Sequence, residues 1–145
     1  AQLKEHSLTR VYEAIVDGVI AEDNGTINHI IGRHPVNRKK MSINVRNGKH
    51  AVTHYTVLLR FQNHTYIECR LETGRTHQIR VHLASIGRPV SGDEVYERQK
   101  TPYNLRGQTL HAKTIGFIHP RTNQYMEFEA PLPAYFVELL KNNTL

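Results

Sequence analysis

Hydrophobic and polar positions alternate along five segments of the chain, and this period of two residues is typical of β-strands. The segments are residues 10–19, 51–61, 66–71, 109–117 and 125–130. In the first segment apolar Ala14 and Val16 alternate with Glu13 and Asp17, so the pattern predicts a strand with one mostly polar face. Asn-Gly pairs at 24–25 and 47–48 favour tight turns, because both residue types tolerate positive φ angles.

The spacing of apolar residues changes to a helical period after residue 76. Ile79, Leu83 and Ile86 stand at i, i+4 and i+7, which predicts a helix over residues 76–86 that ends at Gly87. A second short helix is predicted over residues 134–141, and residues 88–108 are expected to form a loop. Several strands with few helices predict an α+β fold with a mixed, mostly antiparallel central sheet.

The opening residues have the pattern of a helix end without a helix start. Leu3, His6 and Ser7 would continue a stripe along a helix, but no capping residue precedes Leu3. We therefore expect that the chain opens inside an element and is part of a longer sequence.

Composition and charge narrow the class of protein. With 39% hydrophobic and 22% charged residues over 145 positions, the chain fits a single globular domain. No apolar run approaches the ~18 residues that suggest a membrane-spanning helix. Cys69 is the one cysteine of the sequence, which excludes an internal disulfide and fits a reducing, cytoplasmic location. A net charge of +6, with ten histidines in addition, favours polyanionic partners such as nucleic acid.

The densest cluster of candidate chemistry is residues 71–83, LETGRTHQIRVHL. A predicted strand ends at Gly74 and a helix begins at once, and the free N–H groups at a helix start favour anions. Arg75 stands at this entry and Arg80 about one turn further on, and the planar guanidinium group can bind two oxygens of a carboxylate or phosphate. The alternative is that both are ordinary surface arginines.

Other side chains suggest other chemistries. His77 and His82 are five residues apart, about 140° around a helix, whereas zinc-binding helices use spacings of three or four. The spacing therefore disfavours a zinc site at these two histidines. Cys69 lies in a predicted strand and is expected to be a buried structural cysteine. Asp93 is expected to hold a loop together through backbone hydrogen bonds. Tyr12 could stack on a base and accept a proton, or be a half-buried tyrosine of the sheet.

Taken together, these segments resemble the large-subunit rRNA pseudouridine synthases of the RluA/RluD type. Residues 73–83, TGRTHQIRVHL, match the family's arginine motif nearly letter for letter, and residues 10–18, RVYEAIVDG, resemble its tyrosine motif. Further matches recur in family order: GKHAVTHY at 48–55, GDEVY at 92–96, LHA at 110–112, HP at 119–120 and FEAPLP at 128–133. The resemblance covers essentially the whole chain.

The resemblance implies isomerisation of uridine to pseudouridine in RNA, with rRNA favoured over tRNA as the substrate and with no cofactor or metal. It implies that Arg80 pairs with a catalytic aspartate, that Tyr12 stacks on uracil and accepts its C5 proton, and that Leu110 closes the pocket. The base would be flipped out of its stack to react. The residues expected to contact RNA are Arg33, Arg38, Lys39, Lys40, Arg75 and His77.

One departure from the family pattern concerns the catalytic aspartate. That residue lies in an upstream His-Arg-Leu-Asp motif of the family, and residues 1–145 contain neither this motif nor the N-terminal RNA-binding domain common in the family. We therefore expect residues 1–145 to be the C-terminal portion of a catalytic domain and inactive alone. Arg80 would lack its counter-ion, and would turn to solvent, bind an anion or pair with a carboxylate of another chain. Two alternatives stay open: a non-catalytic RNA-binding module and a metal-dependent hydrolase.

Overall fold

The computed structural model describes residues 8–97 and 108–141, and this part folds around a six-stranded sheet. Its elements in chain order are β1 (Leu8–Asp17), β2 (Asn24–Asn28), β3 (Ile31–Arg33), β4 (Met41–Ile43), β5 (Val52–Arg60), β6 (His64–Leu71), α1 (Gln78–Ser85), β7 (Leu110–Ile118), β8 (Tyr125–Glu129) and α2 (Ala134–Lys141). The sheet has the order β2-β5-β6-β1-β7-β8 with antiparallel neighbours, and β3 and β4 form a separate hairpin. The predicted α+β fold is confirmed. None of the helices described is long and apolar enough to cross a membrane.

β1 lies in the interior of the sheet, and both of its faces are covered. On one face Ala14 and Val16 pack with Leu83 of α1, and all three are 0% exposed. On the other face Ile15 packs with Phe136 of α2. The prediction of a mostly polar face is therefore wrong, because alternation along one strand cannot show that a distant helix covers the second face.

Glu13 shows how the second face of β1 accommodates a charge. Its side chain is buried and accepts a hydrogen bond of 2.5 Å from the hydroxyl of Tyr66 on β6. Burial, followed by this hydrogen bond and by the charge of Glu13, raises the pKa of Tyr66. The phenol therefore stays protonated at neutral pH and keeps its hydrogen for the buried carboxylate.

The two Asn-Gly pairs have different roles. Asn47 adopts a φ of 65° in the predicted turn, and the Gly48 N–H donates to the Val45 carbonyl at 3.1 Å. The turn predicted at 24–25 is wrong, because these residues lie inside edge strand β2. A Cβ at Gly25 would lie 2.4 Å from the Tyr55 hydroxyl oxygen, so glycine there permits the tyrosine ring to approach the backbone.

Both predicted helices are present, and α1 is shorter than expected. Its last residue is Ser85, and the glycine expected to end it, Gly87, follows shortly after with a φ of +75°, which lets the Arg88 N–H reach the Leu83 carbonyl at 2.9 Å. Residues 88–97 form no helix or strand, in agreement with the predicted loop; residues 98–107 lie outside the described part of the chain. The helix end expected over residues 1–7 also lies outside it.

Two short strands that periodicity did not reveal form the β3–β4 hairpin. Strands of three residues are too short to establish an alternation. Ile31 of β3 is buried with Val81 of α1, and Met41 and Ile43 of β4 pack against them. The hairpin thereby docks on α1 and holds most of the basic stretch at 33–40 in its connecting loop.

We predict that Phe136→Ala lowers the free energy of unfolding by about 3–5 kcal/mol, because a fully buried ring is lost from the cluster with Ile15 and Tyr66. Phe128→Ala is the matched control, since this ring is 53% exposed on β8 and stacks on Phe117. Its loss should cost about 1 kcal/mol or less. Urea unfolding monitored by circular dichroism measures both variants. Equal losses would contradict the docking of α2 on the sheet.

Candidate active site

A cavity of about 230 Å³ lies where β1 and β7 meet the start of α1. It is lined by five residues selected from the sequence: Tyr12, Arg75, His77, Arg80 and Leu110. The remaining lining residues are Arg10, Leu71, Gly74, Gln78 and Ile79. Pairing between β1 and β7 sets Ala14 opposite Leu110 and Tyr12 opposite Ala112, which brings the strand residues to one place. The three residues expected to perform the chemistry are therefore neighbours.

The turn from β6 into α1 is held by Gln78, whose role sequence reasoning missed. Its side-chain oxygen accepts hydrogen bonds from the Thr73 hydroxyl at 2.7 Å and the Arg75 N–H at 3.1 Å. Its side-chain nitrogen donates to the Val52 carbonyl and the Thr53 hydroxyl, both at 2.9 Å. A buried amide with four partners fixes the path of the chain around the cavity. Periodicity gave no signal for it, because a polar residue at the start of a helix is ordinary.

Arg80 forms a bidentate ion pair with Asp93, thirteen residues further along the chain. Its Nε donates to one carboxylate oxygen at 2.7 Å and one of its terminal nitrogens donates to the other at 2.9 Å. The side chain of Arg80 is 14% exposed and that of Asp93 is 0% exposed. The expectation that Arg80 lacks a counter-ion is therefore wrong: the carboxylate comes from a loop of the same chain.

Asp93 also performs the role predicted for it. Its Oδ1 accepts the backbone N–H groups of Val95 at 3.0 Å and Tyr96 at 3.3 Å, which holds the loop. Burial raises the pKa of this carboxyl group, but the hydrogen bonds from Arg80 and from the two amides outweigh burial and lower the pKa overall. The hydrogen bond to Asp93 in turn raises the pKa of Arg80. Both groups are charged at neutral pH, so the pair is a fixed ionic contact behind the cavity.

The structure divides the predicted RNA-contact residues between two places. Arg75 and His77 line the cavity, and the Nε of Arg75 donates to the His50 carbonyl at 2.7 Å. The other members of the set are in the β3–β4 hairpin: Arg33, Arg38, Lys39 and Lys40. Lys40 lines a separate cavity of about 760 Å³. The basic residues thus form a patch on the hairpin that is distinct from the arginines of the smaller cavity.

Arg10 is a cavity residue that sequence reasoning did not select. Its guanidinium group lies against Gly74, where an added Cβ would be 1.6 Å from a terminal nitrogen of Arg10. Its Nε is buried and has no hydrogen-bond partner. No ion pair of Arg10 is present within residues 8–97 and 108–141. The signal that could have found it is its position two residues before Tyr12, on the same face of a strand.

The cavity contains arginine but no carboxylate in its lining. All three aspartates of the sequence lie in the described part of the chain. Asp17 accepts a hydrogen bond from the Ser91 hydroxyl at 2.6 Å, and Asp23 pairs with Arg60 at 2.8 Å. Asp93 is fully buried and bound to Arg80. None of the three is a lining residue that could attack a ligand there.

The other candidates for chemistry are occupied by structural contacts. Cys69 is fully buried, as predicted, and burial, followed by the charge of Glu68, raises the pKa of its thiol to about 12. His82 has both ring nitrogens in hydrogen bonds, Nδ1 with the Thr53 hydroxyl and Nε2 with the His29 carbonyl, each at 2.9 Å. Within residues 8–97 and 108–141, no group of three or more His, Cys, Asp or Glu side chains is arranged to hold a metal ion.

Sequence comparisons relate this arrangement to known proteins. The profile of the RNA pseudouridylate synthase family matches residues 1–85. The chain is 53% identical to the uncharacterized RNA pseudouridine synthase YlyB of Bacillus subtilis, over 97% of this chain and 46% of that protein. It is 49% identical to the ribosomal large subunit pseudouridine synthase D of Pseudomonas aeruginosa, over 97% of this chain and 47% of that protein.

Solved structures agree with the sequence comparisons. The human RNA pseudouridylate synthase domain containing 1 matches with a TM-score of 0.78 at 30% identity, over 90% of this chain and 57% of that one. The chain belongs to the RNA pseudouridylate synthase family, and its resemblance to the RluA/RluD type is confirmed. It spans about half the length of the curated relatives it matches.

We predict that Asp93→Asn lowers the free energy of unfolding by about 3 kcal/mol at pH 7, because Arg80 is left without a counter-ion in a mostly buried position. The pKa of Asp93 in the folded protein lies below its ordinary value of 3.8. The stabilisation by the ionised carboxylate is therefore fully present above about pH 4 and is lost as pH falls through the folded pKa. The difference between wild type and variant should be constant from pH 7 to about 4 and shrink below that range.

Chemical denaturation at a series of pH values measures this difference. Asp23→Asn is the control, because the Asp23 side chain is 85% exposed in its ion pair with Arg60 and exposed pairs contribute about 1 kcal/mol or less. A difference for Asp93→Asn that persists unchanged at pH 2 would show that the ionised pair is not its source.

Proposed function

We propose that this chain supplies the uridine-binding side of an active site that isomerises uridine to pseudouridine in RNA. The observation that carries the proposal is the joint presence of Tyr12, Arg80 and Leu110 in the lining of one cavity. In the family that the chain resembles, these positions hold the tyrosine, the arginine and the apolar wall of the pocket. Family membership supports the class of reaction, and the cavity supports the assignment of residues.

The proposed reaction moves one bond and two protons without a net change in composition. The bond between C1′ and N1 of uracil breaks, the base turns, and C5 bonds to C1′. The proton of C5 leaves, and N1 gains a proton. The hydroxyl of Tyr12 is the proposed acceptor of the C5 proton, and its ring stacks on the base. Leu110 closes the opposite side of the base and excludes water.

Arg80 is proposed to orient the carboxylate that acts on the sugar. Its Nε and one terminal nitrogen donate to Asp93, but a guanidinium group has five N–H donors. The remaining donors can bind a second carboxylate. Asp93 is then a positioning residue, because it fixes the plane of the guanidinium group. We propose that this second carboxylate belongs to sequence outside residues 1–145, which would be the C-terminal portion of the catalytic domain, since no aspartate lines the cavity.

RNA is the proposed partner, and the rRNA of the large subunit is the favoured substrate. The name of the Pseudomonas aeruginosa relative supports this choice. Arg38 and Lys39 are exposed in the hairpin loop, and Arg75 lies just before α1 in the lining of the cavity. These side chains could bind phosphates on both sides of a flipped nucleotide. A non-catalytic RNA-binding module has the same basic patch, and turnover separates the two functions.

We predict that the chain alone forms no pseudouridine in unmodified large-subunit rRNA, because the cavity lacks a carboxylate. Addition of the N-terminal half of YlyB as a separate polypeptide should restore turnover, since that half comes from a relative 53% identical over this region. Chemical mapping of pseudouridine measures both. Tyr12→Phe in the mixture should reduce turnover at least about 100-fold if the phenol accepts the proton.

Three outcomes would contradict these assignments. Turnover by the chain alone would show that one of its own groups supplies the nucleophile. A mixture in which both polypeptides bind each other and RNA but form no pseudouridine would favour the binding module. Full activity of Tyr12→Phe would leave stacking as the role of the ring.

We predict that the hairpin patch binds RNA mainly through phosphates. The logarithm of the binding constant for single-stranded RNA should fall with the logarithm of salt concentration, with a slope of about −0.7 per contact. The double variant Arg38→Gln with Lys39→Gln should make this slope shallower by about 1.4 if each side chain makes one contact. The control with the same loss of charge is Arg121→Gln with Lys141→Gln, both exposed and outside the hairpin. Fluorescence anisotropy measures the slopes, and equal changes in the two double variants would rule out a specific patch.

A further inference from the structure

His77 has a backbone conformation that is costly for its residue type. It precedes α1 as its N-cap with φ 56° and ψ 21°, in the left-handed region. The other non-glycine residues described with positive φ are Asn44, Asn47 and Asn123, and asparagine tolerates this region best. The side chain of His77 makes no capping hydrogen bond to α1, so the position gains no helix stabilisation from it. A strained residue is retained where the surrounding structure or a function requires it.

The ring of His77 is fixed on one side by Tyr96. Its Nδ1 lies 2.9 Å from the hydroxyl oxygen of Tyr96, and the two rings meet edge to face at 5.8 Å and 86°. The same hydroxyl oxygen accepts the backbone N–H of Met41 at 2.8 Å. Because one lone pair is thus occupied, the hydroxyl is best satisfied when it donates its own hydrogen to Nδ1. A neutral His77 then carries its hydrogen on Nε2.

His77 is also kept neutral. Burial is the largest cause that lowers the pKa of its imidazole, the charge of Arg80 lowers it further, and Asp93 opposes both. The ring lines the cavity together with Tyr12 and Arg80, and its Nε2 has no hydrogen-bond partner among the residues described. The lining of the cavity therefore includes a residue with a neutral N–H donor of fixed orientation, together with Tyr12, whose ring is suited to stack on a base.

We propose that the Nε2–H of His77 donates a hydrogen bond to a carbonyl oxygen of the uracil bound in this cavity, and so helps to hold the base for the reaction. The proposal rests on the proposed function and deepens it. Uracil has two carbonyl oxygens, O2 and O4. A contact to O4 would also select uracil over cytosine, which has an amino group in place of O4, whereas a contact to O2 would not, because both bases carry O2. As the bond from C1′ to N1 breaks, the electron pair left on the base spreads onto these oxygens. A preoriented donor then binds the departing base more strongly than the intact nucleotide.

The tautomer of His77 can be measured on the wild-type chain. Nitrogen NMR of the imidazole should show hydrogen on Nε2 and none on Nδ1 at neutral pH. Tyr96→Phe removes the hydroxyl and should shift the ring towards a mixture of tautomers. Hydrogen on Nδ1 in the wild type would overturn the proposal without any change to the binding of RNA. This test does not depend on a variant of His77 that folds.

Binding of modified RNA tests the contact itself. Single-stranded RNA with one uridine is compared with RNA that carries 2-thiouridine or 4-thiouridine at that place, because sulfur is a poor hydrogen-bond acceptor. One of the two substitutions should weaken binding to the wild type about fivefold, the contribution of a single hydrogen bond. His77→Ala should lose this discrimination. His77→Asn should retain part of it, since asparagine tolerates the left-handed backbone and keeps an N–H donor.

The controls separate the contact from the fold and from the proposed function. His50→Ala changes a nearby exposed histidine outside the cavity lining and should leave the discrimination unchanged. Discrimination that survives in a folded His77→Ala would overturn the role of His77 alone. A wild type that binds an abasic RNA as tightly as the uridine RNA would show that the cavity takes no base, and this result would overturn the proposed function as well.

Discussion

The bidentate ion pair between Arg80 and Asp93 connects the elements that form the cavity. Arg80 belongs to α1, and Asp93 belongs to the loop that follows it. Asp93 also accepts a hydrogen bond from the backbone N–H of Tyr96. The guanidinium carbon of Arg80 lies 5.2 Å from the centre of the Tyr96 ring. Tyr96 in turn binds Met41 of the hairpin and His77 of the cavity. Removal of one charge would therefore disturb a loop, a hairpin and a cavity wall together.

The central position of β1 explains why this cavity forms where it does. A strand covered by α1 on one face and by α2 on the other has little freedom to move, so a side chain that it carries is held in a fixed position. Tyr12 lies in the middle of this strand, beside the bulge where pairing with β7 shifts register between Val11 and Tyr12. Bulges redirect side chains at the edge of sites. The two covered faces of β1 and the bulge beside Tyr12 together place the aromatic ring at the cavity.

The five strands of the sheet other than β2, both helices and the candidate residues around Arg80 could be predicted from local pattern and family motif. The elements that could not be predicted depend on distant partners. The Asn-Gly pair at 24–25 has the composition of a turn, but Gly25 lies inside strand β2. Glycine is suited to this position because the ring of Tyr55 packs directly against its backbone. The pairing of Arg80 with Asp93 spans a loop, and charge alone does not identify a partner thirteen residues away. Likewise, Gln78 gains its role from contacts with β5 that no local pattern encodes.

The charges around the cavity constrain what it can bind. Three arginines line it, and the one carboxylate that contacts any of them is Asp93, which binds Arg80 from behind, among the residues described. A cavity with this excess of positive charge favours anions. Arg10 contributes a buried Nε–H that has no hydrogen-bond partner in the described part of the chain and is free to bind an anion. A catalytic carboxylate beside Arg80 would be repelled by the carboxylate of Asp93 and attracted by the guanidinium group of Arg10. The attraction by Arg10 would therefore offset the repulsion between the two carboxylates. Arg75, which also lines the cavity, could bind a phosphate of the RNA. The same charge pattern could therefore accommodate both anions that the proposed reaction brings together.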